Sequence, residues 1–410
     1  MINIKELNNI VDSCRQEMID DIIKMNSIPS INPRMGGQGE FERFEWIEKK
    51  LRSYNIGYKV FEIKDEVVPQ GIRRNITVSF KGSEDTRKTL WFIAHVDTVN
   101  YGDISLWNTD PFKPYDDGDR IYGLGTEDNS QAVIEMLYIC KIMKQKCIIA
   151  KCNIGFIFAS DEETGSRYGL HALFKENIFS PSDEAVVPDG GSSDGCFVEI
   201  AEKSQLWIKF TVKGKQSHAS MPQLGVNACS AGMHLGVVLE DTLKEKYNYI
   251  DELFNPPYST IELTQKFANV DSPNILPGMD QFVMDLRVLP KYDVAQVLST
   301  IDDIIESFDE VNEGIKASYE LLTRVEAPEP TNPDAEIVKK LVSSISETGR
   351  SAYLGGIGGG TCAAILRKHN IPTVVWSTLD EMAHQPNEYV LVSNVINDTK
   401  IFLSTIVKYC

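Results

Sequence analysis

The sequence predicts an α/β protein, a mostly parallel, helix-flanked sheet interrupted by an inserted βαββαβ, ferredoxin-like unit. Three observations predict it. Short, wholly apolar runs such as Leu90-Trp-Phe-Ile-Ala94 and Ile154-Gly-Phe-Ile-Phe-Ala159 alternate with helical patterns, as strands buried on both faces do. From Ser204 onward the pattern changes, and residues 206–213 alternate like a strand with one wet face. After the stiff, proline-rich segment Glu326-Ala-Pro-Glu-Pro-Thr-Asn-Pro333 the first pattern resumes. The expected organisation is a discontinuous domain over 1–202 and 326–410, with an inserted domain over 203–325.

Taken in order, the N-terminal stretch places Met18, Ile22 and Ile23, then Phe41, Phe44, Trp46, Ile47 and Leu51 at helical spacing. Strands are expected at 58–63, 76–80 and 90–94. A helix should run from 129 to 144, with Val133, Met136, Leu137, Cys140 and Met143 on one face. Strands follow at 154–159 and 185–187. The insertion reads as strand 206–213, helix 226–242, strands 259–268 and 280–288, helix 293–308 and strand 316–323. Helix 334–347, strand 373–376 and a last helix at 393–407 complete the chain.

Composition narrows the function. The chain carries 41 Lys and Arg against 59 Asp and Glu, a net charge of −18 over 410 residues. Such a surface disfavours nucleic acid and anionic membrane as partners. No apolar run approaches the ~18 residues of a membrane span, and the polar, mixed-charge stretch Met1 to Arg15 does not read as a signal peptide. Eight cysteines without a Cys-x-x-Cys pair read as reduced thiols of a cytoplasmic protein.

Five separated segments present an acid or a histidine just after an apolar run: His95-Val96-Asp97, Asp128, Asp161-Glu162-Glu163, Asp189 and His384. Each has a plain structural alternative. His95 could end a strand, Asp128 could cap the helix that follows, the acid run could be a solvated loop, and Asp189 with Gly190 could be a turn. Together they supply two imidazoles, a bridging carboxylate, two terminal carboxylates and a spare glutamate, the inventory of a two-metal hydrolase. Oxygen and nitrogen donors of this kind suit two divalent ions, zinc first, with cobalt or manganese as substitutes. Asp97 is placed to orient the His95 ring or a nearby group. Adjacent glutamates allow one to bind metal while the other acts as general base.

The sequence resembles the dinuclear zinc aminoacylase and carboxypeptidase family, which includes succinyl-diaminopimelate desuccinylase, acetylornithine deacetylase, aminoacylase, glutamate carboxypeptidase and several dipeptidases. The matching segments are Ala94-His-Val-Asp-Thr-Val99, Asp119-Arg-Ile-Tyr-Gly-Leu-Gly-Thr-Glu-Asp128, Ser160-Asp-Glu-Glu-Thr-Gly165, Ser217-His-Ala-Ser-Met-Pro222, Asn274-Ile-Leu-Pro277 and His384-Gln-Pro-Asn-Glu-Tyr389. The resemblance implies that Asp128 bridges two metals, with His95 and Asp189 on one and Glu163 and His384 on the other. It implies Glu162 as general base, Asp97 as orienting group, and a cis peptide bond after Asp128. It further implies His218 as the oxyanion-steadying histidine of a lid and dimerisation domain, and Asn274 and Arg287 as holders of the substrate carboxylate. Gly359, Gly360 and Thr361 resemble the glycine-rich loop that offers backbone donors. The departures are Leu124 where arginine is usual, Ser130 where lysine is common and Cys362 where aspartate is frequent.

The expected activity is therefore metal-dependent hydrolysis of the amide bond of an N-acyl amino acid, with a metal-bridging hydroxide and Glu162 as general base. A dipeptidase or carboxypeptidase is the alternative, and a homodimer through the inserted domain is a candidate assembly. A non-catalytic relative would be expected to lack a ligand or Glu162, and a mononuclear zinc protease would carry a His-Glu-x-x-His helix; neither holds for this sequence.

Overall fold

The computed structural model describes residues 3–410; Met1 and Ile2, at the head of the N-terminal segment discussed above, lie outside them. The chain forms two units. Unit 1 comprises residues 3–200, 331–354 and 361–410, and unit 2 comprises 201–330 with Gly355–Gly360. Unit 2 takes in the glycine loop as well as the insertion.

Before the insertion the chain lays down β1 (Lys59–Lys64), β2 (Ile72–Phe80), β3 (Thr89–His95), helix α1 (Gln131–Lys146), β4 (Asn153–Ala159), β5 (Glu184–Ser192) and β6 (Phe197–Glu202). The insertion contributes β7 (Ser204–Lys213), α2 (Ala228–Lys246), β8 (Thr260–Lys266), β9 (Met279–Val288), α3 (Val294–Val311) and β10 (Lys316–Val325). The chain returns with β11 (Tyr353–Ile357), β12 (Thr373–Thr378) and α4 (Val392–Val407).

The large sheet has the order β1-β2-β4-β3-β5-β12-β6-β11. Its central strands β4, β3, β5 and β12 run parallel, and antiparallel pairings flank them. Every residue of β3 is buried, which explains its continuous apolar run. The sheet's core includes Trp91, Ile93, Ile157, Val187 and Val375. Helix α1 is buried from Gln131 to Cys140 without a break, so its apolar residues are not confined to one stripe.

Three details depart from the sequence reading. Strand β5 extends through Ser192 because β12, from the far end of the chain, pairs with Gly191 and Ser192; Asp189 therefore lies within the strand and not beyond its end. Helix α1 starts at Gln131, after an irregular turn over Thr126–Ser130. Strands β6 and β11 add an edge that local patterning did not reveal.

Unit 2 is a four-stranded antiparallel sheet, β8-β9-β7-β10, carrying α2 and α3. Alternate residues Leu206, Ile208 and Phe210 of β7 bury with Leu235 and Leu239 of α2 and Val297 and Ile301 of α3; each such side chain contributes roughly 1.5–3 kcal/mol. Its first and last strands are neighbours, with Gln205 opposite Val325. The opposite face of α2 leaves Met233, Val237 and Val238 exposed. No helix among the described residues is long and apolar enough to cross a membrane, and Cys14, Cys140, Cys147, Cys152, Cys196, Cys229 and Cys410 are free thiols.

Candidate metal centre

The centre forms in unit 1 where β3 and β4 end, beside Asp189 within β5. His95 is the last residue of β3. Its Nδ1 lies 3.0 Å from the main-chain carbonyl of Asp97. A carbonyl only accepts, so the Nδ1 proton donates there and Nε2 is turned toward the cluster. Nε2 lies 2.8 Å from Asp128 Oδ1 and 3.4 Å from Asp189 Oδ1.

Asp128 sits in the irregular turn ahead of α1, and its bond to Asn129 is cis. Gly125, at φ +75°, opens this turn, and a Cβ there would meet Thr98 Cγ2 at 2.4 Å, so both the conformation and the space require glycine. Buried Glu388 ties the turn down, accepting from the main-chain nitrogens of Gly125 (2.7 Å), Glu127 (2.9 Å) and Asp128 (3.0 Å). Asn129 in turn donates to Asp189 Oδ1 at 2.5 Å.

Glu162 and Glu163 open a 3-10 turn just past β4, entered through Asp161 at φ +65°. The Asp97 carboxylate receives the Glu162 nitrogen on Oδ1 (3.0 Å) and the Glu163 nitrogen on Oδ2 (3.3 Å). Asn32 donates to both Asp97 (2.8 Å) and Asp161 (3.2 Å). Asp161 also pairs with buried Arg73 at 3.4 Å, which holds Glu40 and Asp65 as well. The first acid of the run thus serves the scaffold.

His384 comes from the loop after β12. Its Nε2 lies 3.0 Å from Asp128 Oδ2 and 3.1 Å from Glu163 Oε2. Glu127 steadies that loop, accepting from Asp380 N at 2.7 Å and Met382 N at 2.5 Å.

Electrostatics suit a doubly charged occupant. Burial lowers the affinity of His95 for a proton, but Asp189 and Asp128 outweigh it and hold the imidazole well above its ordinary pKa. Hydrogen bonds to Asp128 and Glu163 push His384 up to about 11. Burial raises Asp128, yet its bonds to His384 and His95 win and hold it low. Burial and the Asp128 charge raise Glu163 to about 7; burial and Asp189 raise Glu162 well above the usual range. The carboxylates thus draw both imidazoles toward the cationic form, as a centre built around positive charge should. Donor atoms of His95, Glu162 and Asp189, and of His95, Asp128 and Glu163, lie within 4.8 Å of one another. Glu163 Oε1 is buried without a hydrogen-bond partner. Nitrogen and oxygen donors of this kind fit divalent cations.

The other sequence-predicted residues, apart from Thr361, belong to unit 2. His218 faces Ile275 across a two-residue ladder, and its neighbour Ala219 donates to the Asn274 carbonyl at 2.8 Å, so His218 and Asn274 lie together. Ser220 N donates to His218 Nδ1 at 3.1 Å, which leaves the proton of a neutral ring on the exposed Nε2. Arg287 engages Asp285 and the Gly358 carbonyl. At Gly360 a Cβ would meet Glu202 Oε2 at 2.7 Å. Thr361, in unit 1, accepts from Ala363 N at 3.1 Å, just ahead of the short helix Ala363–Lys368. Sequence reasoning did not single out Asn32, Arg73, Glu388 or Asn129. Only Glu388, three residues beyond Gln385 in a recognised motif, carried any signal.

A sequence model of Peptidase family M20/M25/M40 matches residues 91–408. An uncharacterized metallohydrolase of Methanococcus maripaludis is 40% identical over 407 residues, covering 94% of this chain and 97% of the relative. A succinyl-diaminopimelate desuccinylase of Nautilia profundicola is 26% identical over 399 residues, covering 95% and 98%. Among solved structures, the aminopeptidase PepT from Bacillus cereus superposes with a TM-score of 0.74 at 20% identity, covering 96% of this chain and 98% of that one; this likeness is one of fold.

Proposed function

The chain belongs to Peptidase family M20/M25/M40 and is a metallohydrolase; from that premise we propose that it hydrolyses the amide bond of an N-acyl amino acid, as a deacylase of the succinyl-diaminopimelate desuccinylase type. The observation that carries the proposal is the division of Asp128, whose two oxygens face His95 (2.8 Å) and His384 (3.0 Å) separately. One carboxylate is thereby arranged to serve two ions, zinc being the first choice for this donor set.

His95 and Asp189 would hold one ion, Glu163 and His384 the other, and Asp128 both. Bound there, two divalent ions supply Lewis acidity to the scissile carbonyl and acidify water. Glu162 takes the proton from the attacking water and returns it to the leaving amine nitrogen. Its main chain is fixed by Asp97. The exposed Nε2–H of His218 is the donor for the oxyanion, and Arg287 and Asn274 hold the free carboxylate beside the amide. Gly359, Gly360 and Thr361 offer main-chain donors to the substrate. The exposed stripe on α2 is the surface for a homodimer. The free cysteines fit a cytoplasmic setting.

A dipeptidase or carboxypeptidase is the second reading, supported by the same residues and by membership of a peptidase family. One experiment tests both. The protein is stripped by chelation, metal is added back, and hydrolysis of N-succinyl, N-acetyl and unblocked dipeptide substrates is measured. Deacylation restored by metal supports the first reading, and cleavage confined to dipeptides supports the second. Full activity in chelator would end both.

A further inference from the structure

One side of the unit 2 sheet carries the helices, and on the other three side chains form a single hydrogen-bonded device. Leu206 and Ile208 flank Trp207 on β7 and bury under α2 and α3, so Trp207 points to the helix-free face. On β9, Asp285 lies opposite Trp207 and Arg287 opposite Gln205, which puts Asp285 and Arg287 on that same face. The Trp207 indole N–H donates to Asp285 Oδ2 at 2.9 Å. That oxygen also accepts from Arg287 Nη2 at 3.0 Å, while Oδ1 accepts from Nε at 2.7 Å. Nη1 donates to the Gly358 carbonyl at 3.0 Å.

A guanidinium has five N–H donors. Three are committed, and one N–H on each terminal nitrogen remains, a pair suited to one carboxylate. Trp207 is 39% exposed although its only polar atom is satisfied. What it presents is therefore the carbon surface of the indole. Asp285 Oδ2 spaces that surface next to the terminal nitrogen of Arg287.

We propose that Trp207 determines side-chain specificity: the residue whose free carboxylate binds Arg287 carries a large apolar or aromatic side chain, which packs on the indole. This rests on the carboxylate-holding reading of Arg287 given above. An aromatic pair of this kind favours phenylalanine over leucine, and both over glycine.

The test measures kcat and KM of the metal-loaded protein on N-acetyl, N-succinyl and alanyl derivatives of phenylalanine, leucine and glycine. Wild type is expected to prefer phenylalanine to glycine. Trp207→Ala should lose about tenfold or more in kcat/KM for phenylalanine, mostly in KM, with glycine within about twofold. Trp207→Phe should keep most of the preference. Arg287→Gln should raise KM for every member. Equal losses for phenylalanine and glycine in Trp207→Ala, or no preference in wild type, would overturn the specificity inference while a uniform KM rise in Arg287→Gln leaves the carboxylate reading intact. An unchanged KM in Arg287→Gln would overturn both.

Discussion

Asp97 Oδ1 lies 3.0 Å from the main-chain nitrogen of Glu162, and its Oδ2 receives the next nitrogen, that of Glu163. The carboxylate therefore grips the backbone of both glutamates, while its own main-chain carbonyl orients His95. Asp97→Asn would turn an NH2 group toward one of those N–H donors. Activity should fall by about 10–100-fold, the usual cost of disturbing a group behind the ligands, with folding retained by circular dichroism.

Glu162 is expected to matter for turnover more than for metal. Glu162→Gln keeps the shape of the side chain and removes its basicity. kcat should drop by roughly 10²–10⁴-fold, and metal content by elemental analysis should match wild type. Wild-type turnover in that variant would remove Glu162 from the proton path.

His384 and His95 address different oxygens of Asp128. His384→Ala should therefore lower bound metal by one ion per chain and spare the other. Loss of both ions together, measured by titration after chelation, would contradict two separable sites.

Glu135 predicts a pH dependence of stability. It is fully buried in α1, and burial followed by the Asp398 charge raises its pKa well above the usual range, against a smaller lowering by Gln131. An acid whose folded pKa is raised binds more protons folded than unfolded, so its destabilising effect is absent at pH 4 and grows as pH rises. Glu135→Gln should raise the urea midpoint at pH 7–8, by about 1–3 kcal/mol in stability, and change little at pH 4. A gain independent of pH would reject the assignment.

The two layers of the site differed in legibility. His95 and Glu162 could be singled out because apolar runs that become strands lead into them: His95 ends β3 and Glu162 lies just past β4. The order βαββαβ of the insertion was legible because alternation and helical spacing are local signals. The supporting layer was hidden because its partners are distant in sequence: Asn32 reaches Asp97 and Asp161, and Glu388 reaches the turn at Gly125. The true length of β5 was hidden for the same reason, since residues 191 and 192 pair with a strand nearly two hundred positions later. Nothing in an acid run says which member faces the cluster; only the burial of Asp161 against Arg73 separates it from its neighbours.

Gln205 and Val325 sit side by side on adjoining strands, so the polypeptide departs into the insertion and comes back at a single doorway. A module with paired ends can be excised and its stumps joined by a short loop, or exchanged for a cousin's version, without rethreading the remaining chain. Evolution can in this way replace unit 2 while leaving the cluster of His95, Asp128 and Asp189 untouched.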